Sequence, residues 1–227
     1  MKRHQSGFTL IEIAIVLVII GLLLGGVLKG QELINSARVK NLAADFKNVP
    51  LFIYGYQDKF KSLPGDDANA DAHLGTSCTT APITTCVAAA GPTGNGVING
   101  MWDSMTATDE SIAFWQHVRL AGLAPGETIV NLTTYLPTNA VGGRTGITNG
   151  AATNLPITGL RGSHIFCSGG ILGKFARQLD ITLDDGNTAT GAMMVMADAA
   201  HPAAVPANAI ATTAIDDAAP HTVCMGI

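Results

Sequence analysis

Charge is scarce in this chain: Lys, Arg, Asp and Glu make up 13% of its 227 residues, and the formal net charge is −4. There is no basic surplus to neutralise phosphates, so contact with nucleic acid is not expected. Aromatic residues are few, at 5%, which suggests a loop-rich globular part with a modest core that needs further constraints. No G-x-S-x-G or H-E-x-x-H pattern occurs, nor a nucleophile–base pair at a recognisable spacing. No catalytic residue is therefore assigned, and the chain reads as a non-enzyme without a cofactor. The glycine-rich "GPTGNGVING" (91–100) lacks the Lys-Ser/Thr pair and the helix start of a phosphate loop, and reads as a turn.

Apolar sequence, by contrast, is concentrated at one end. Phe8 to Leu28 is almost unbroken, with one carboxylate, Glu12. As a helix it would be about 32 Å long, enough to cross a bilayer. Lys2 and Arg3 precede it, which predicts that the first residues stay cytoplasmic and the rest is exported. A secretory signal would need a small-residue cleavage site after the apolar core, and "KGQELINSARVKNLAADFKNV" offers no A-x-A. A plain membrane anchor explains the length but not Glu12. A cut before the apolar segment, after Gly7, would keep the helix in the mature chain.

The residues "GFTLIE", Gly7 to Glu12, resemble the cleavage and methylation motif of type IV pilins and of the related pseudopilins of type II secretion systems. The resemblance implies that residues 1–7 are a leader, that a membrane peptidase cuts between Gly7 and Phe8 and methylates Phe8, and that Glu12 becomes the fifth mature residue. It also implies that Glu12 pairs with a neighbour's terminal amine during assembly. The physics agrees: an ionisable group in an apolar segment normally has a partner, and cleavage creates an amine one helical turn away.

Beyond Leu28 the pattern changes. Val39, Leu42, Phe46, Val49, Ile53, Tyr56 and Phe60 recur at spacings of three and four, an apolar stripe with Lys40, Asp45, Lys47, Asp58 and Lys59 largely off it. Pro50 removes one hydrogen bond and predicts a bend. The helix is expected to stop near Ser62, because Pro64 and Gly65 follow. The expected fold is α+β: a long helix over 8–62, with 8–28 spanning the membrane or lining a filament core, packed on an exported head (63–227) with a small antiparallel sheet.

Within the head, "TDESIAFWQHVRLAGLAPG" reads as a solvated helix capped by Thr108, with Ile112, Trp115 and Val118 facing the core. "TIVNLTTYL" is β-prone, Gly173 to Leu183 reads as a helix, and Ala192 to Ala197 reads as a strand. The "LDDG…TG" segment around that junction is similar to pieces found in pilin-like proteins. The Ala- and Pro-rich tail from His201 shows little periodicity and needs Cys224 to hold it down.

Four cysteines, Cys78, Cys86, Cys167 and Cys224, permit three pairings. Cys78–Cys86 and Cys167–Cys224 are preferred, because both links close easily during folding. A zinc site built from two H-x-x-C pairs (His164/Cys167 and His221/Cys224) is the rival use of the latter two. Asp180, Asp184 and Asp185 offer oxygen ligands at close spacing. Some pseudopilins bind calcium near the C-terminal end, so the resemblance makes these three calcium candidates, although the EF-hand pattern is absent; an Asp-Gly turn is the plainer reading.

The expected function is that of a structural subunit of a type IV pilus-like filament. A pseudopilin of type II secretion is the alternative, and a membrane-tethered adhesive head a further one. The implied partners are other pilin subunits, the prepilin peptidase, the inner-membrane assembly machinery and, before assembly, membrane lipid. The implied location is the bacterial inner membrane, then a surface pilus or a periplasmic pseudopilus.

Overall fold

The computed structural model describes residues 9–75, 85–88, 92–131, 133–151, 155–198 and 206–227. The chain divides into two units, residues 1–38 and 39–227, and one helix, α1 (Leu10–Phe60), contributes to both.

In the first unit every residue from Thr9 to Lys29 is exposed. The apolar window of α1 has a mean hydropathy of 2.8 with none of it buried, so the helix is long and apolar enough to cross a membrane. A helix that is apolar all round has no solvent face and needs hydrocarbon or other helices about it.

In the second unit α1 is amphipathic. Val39, Leu42, Ala43, Phe46, Val49, Ile53 and Tyr56 are buried, and Phe60 is half-buried at the end of the stripe. The helix continues through Pro50 despite the missing bond to the Phe46 carbonyl, because buried Val49 and Ile53 hold both sides of it in the core. Lys61, at φ 55°, turns the chain into the left-handed region, and Pro64 prevents a restart.

The head is a four-stranded antiparallel sheet with helices. Its strands are β1 (Thr145–Asn149), β2 (His164–Leu172), β3 (Met193–Ala197) and β4 (Pro220–Gly226), in the spatial order β1-β2-β4-β3. Alternation along the strands feeds two buried faces. Ile147, Phe166, Val195 and Val223 pack with the α1 stripe, with α3 (Glu110–Leu120) and with α4 (Gly173–Leu183). Phe46 meets Phe166 edge-on, with ring centroids 5.0 Å apart. The other face carries Ile165, Cys167, Met194, Met196 and Cys224 beneath Trp102, Ile157 and Leu160. A short helix, α2 (Ala70–Leu74), follows the end of α1.

The architecture is α+β with a small antiparallel sheet, but three local expectations are corrected. "TIVNLTTYL" forms no strand among its described residues, because the Asn131 side chain accepts from the Thr133 N–H and hydroxyl and folds the segment into a turn. The tail, expected to rely on Cys224 alone, ends as β4, an inner strand held by pairing with β2 and β3 as well as by that cysteine's disulfide. Finally, α3 starts after Asp109 instead of being capped by Thr108, and it is not solvated: Glu110 to Arg119 are all buried.

Candidate functional site

At the amino-terminal end, Gly7 and Phe8 lie outside the described residues. Glu12 does not. The Thr9 N–H and hydroxyl donate to one Glu12 oxygen at 2.8 and 2.6 Å, and the Glu12 N–H reaches back to the Thr9 hydroxyl at 3.4 Å. This is a capping box, and the T-x-x-E spacing of "TLIE" is the sequence signal for it. The carboxylate is thus partly satisfied within its own chain, and its second oxygen makes none of these bonds.

A second polar arrangement lies where α1 ends and was not foreseen from the sequence. The turn Leu63–Asp67 is buried against α3. The Asp67 carboxylate accepts from the Tyr56 hydroxyl at 2.8 Å, the Asn69 N–H at 2.9 Å and His73 Nδ1 at 2.6 Å. Burial opposes its charge, but His73, Asn69 and Tyr56 outweigh that and hold the carboxyl below its ordinary value. Asp66 accepts from the Gly94 N–H and, at 2.6 Å, from the Gly96 N–H, so the glycine-rich loop holds a carboxylate of the chain itself.

Gly65 (φ 91°) adopts a backbone that favours glycine, and a Cβ there would collide with the Glu110 carbonyl. Its N–H donates to His117 Nδ1 at 2.9 Å, while His117 Nε2 donates to the Cys86 carbonyl at 2.7 Å. Both ring nitrogens of His117 are therefore engaged, and burial lowers its pKa. Glu110, one oxygen of which accepts from the Asn99 N–H and Nδ2 at 2.7 and 2.9 Å, is pushed up to about 7, chiefly by burial. These groups fasten the end of α1 to α3 and to the Cys86 segment, and every contact joins the chain to itself.

The third arrangement is acidic. Asp180, Asp184 and Asp185 bring carboxylate oxygens within 4.8 Å of one another at the end of α4. Both Asp180 oxygens are buried without a well-formed hydrogen bond, the Gly186 N–H being only a weak donor to them. Burial, then Asp184 and Asp185, push this carboxyl up to about 6. Asp184 accepts from the Met193 N–H, and Asp185 from the Asn187 N–H. Each of the three acids offers one oxygen to such a cluster, which is part of the six to eight that calcium takes.

Cys167 and Cys224 face each other on β2 and β4 and form a disulfide. Their sulfurs are thereby oxidised and offer no thiolates to zinc. His164 lies on β2 with Nδ1 unpartnered, and His221 Nδ1 contacts the Ala219 carbonyl. Cys86 is disulfide-bonded, while Cys78 lies outside the described residues.

Residues 2–28 match the family described as the prokaryotic N-terminal methylation motif. The chain thus carries the prepilin signature shared by type IV pilins and pseudopilins, on the same segment that forms the capped, apolar start of α1. Comparison with curated proteins and with solved structures gave no match.

Proposed function

We propose that this chain is a structural subunit of a type IV pilus-like filament, exported after leader cleavage and assembled through its N-terminal helix. The observation that carries this reading is the methylation motif at residues 2–28 running directly into an exposed, uniformly apolar helix whose acid sits in the first turn. In this reading residues 1–7 are the leader, the prepilin peptidase cuts between Gly7 and Phe8, the helix over 8–62 is anchor and then core, and 63–227 is the head. The subunit waits in the bacterial inner membrane and leaves it through the assembly machinery to join other pilin subunits.

Glu12 has two successive tasks. Before assembly Thr9 caps it, which lowers the penalty of placing a carboxylate in lipid. On assembly the charge meets the methylated amine of an adjacent subunit and sets the axial register. Glu12→Gln keeps an acceptor for Thr9 and loses the charge, whereas Glu12→Val loses both. Both variants are expected in the membrane and absent from sheared fibres; normal incorporation of Glu12→Gln would refute the charge pairing.

A type II secretion pseudopilus is the alternative, since the same motif serves both. The head with a disulfide near its end, Cys167–Cys224, favours the pilus. Antibody to the head, imaged with and without the peptidase, separates them. Label along surface fibres that vanish without the peptidase supports the pilus, and label confined to the envelope supports the secretion reading.

A further inference from the structure

Resting on the filament reading, we infer that the outer face of α1 in the second unit docks on the acidic end of α4 in a second copy of this chain. The two surfaces differ in sign. With the leader removed, residues 8–61 hold six Lys and Arg and four Asp and Glu, whereas residues 62–227 hold five basic and thirteen acidic residues.

On α1 the exposed residues Lys40, Ala44, Lys47, Leu51, Tyr54 and Asp58 follow one another at intervals of three and four, so they share one side of the helix, opposite the buried stripe. Leu51 and Tyr54 are 64% and 62% exposed there, apolar surface with Lys40 and Lys47 on its N-terminal side and Asp58 on the other.

The receiving surface has the complementary pattern. Ile181, 69% exposed, is the most exposed large apolar side chain among the described residues after α1. Asp184 and Asp185 follow it by three and four positions, and buried Asp180 stands behind them with no well-formed hydrogen bond to either oxygen. Among the described residues no ion pair involves these three acids. Lysine from a neighbour supplies the missing counter-charge while its methylene stem and Leu51 cover Ile181. Opposite charge placed around a small apolar contact fixes register. Because the two faces are different, the contact is heterologous, the kind from which an open helical filament is built.

The test uses the full chain in cells that assemble it. Lys40→Glu with Lys47→Glu is expected to abolish sheared filaments while membrane level and disulfide content stay unchanged. Adding Asp185→Lys, at an exposed position, is expected to restore them. In otherwise native filaments, Leu51→Cys with Ile181→Cys is expected to give oxidised ladders of linked subunits. Filaments of native yield from the Lys40/Lys47 variant, or filaments without the cross-link, would overturn the docking and leave the filament reading standing. Loss of filaments on calcium chelation, with the lysine variant unaffected, would overturn it in favour of a bound cation. No filaments from the native chain would overturn both.

Discussion

Glu110 shows how a single buried acid can set a pH dependence. Its carboxyl, ordinarily 4.5, is raised to about 7 by burial, so the folded head favours the protonated form. The contribution is complete below about 4.5 and is lost as pH rises through 7. His117 has the opposite sign: burial keeps it neutral below its ordinary 6.5, so its contribution is complete above 6.5 and fades as pH falls. Glu110→Gln, which keeps an acceptor for Asn99, should leave thermal stability unchanged near pH 4.5 and raise it at pH 8 by about 2 kcal/mol. Melting curves of the full chain in detergent at the two pH values measure this, and an equal shift at both would contradict it. Tyr56→Phe should cost about 1 kcal/mol in urea unfolding, because the buried Asp67 loses its hydroxyl donor.

Among the elements, α1 carries the heaviest apolar load. Phe46 is fully buried and touches Phe166 of the sheet, so Phe46→Ala should cost about 3–5 kcal/mol, read from the urea midpoint. At exposed Leu51, Leu51→Ala should change the same midpoint little. The stripe was legible because each of its residues repeats at helical spacing, and α4 and β3 were bounded by turn residues that act locally. The capping box at Thr9 and Glu12 was equally local and could have been read from four residues.

What escaped the sequence depends on distant partners. Arg119 donates to the Tyr135 carbonyl at 3.1 Å and lies over the Tyr135 ring, so a charged residue on α3 is buried without any nearby signal. Likewise β4 follows an Ala- and Pro-rich stretch and becomes an inner strand only through pairing with β2 and β3, from which it is remote in sequence. At the α1 junction Asp66 is matched to the Gly94 and Gly96 N–H groups and Glu110 to that of Asn99, backbone donors that folding alone brings near.

At the scale of the molecule, the Cys167–Cys224 bond ties the two inner strands together across 57 residues. Replacing both cysteines with serine should lower unfolding free energy by about 4 kcal/mol on the loop-entropy relation. Comparing denaturant midpoints of the native and doubly substituted chains checks it. The central claim is that the methylation motif at residues 2–28 directs a cut before the apolar helix, which leaves that helix and Glu12 in the working protein. Intact-mass spectrometry of the chain recovered from its native host tests this most directly. The account predicts a mass lacking Met1 to Gly7 and bearing one methyl group on Phe8. A product that retains Met1 to Gly7, or one cut after the apolar run, would contradict it.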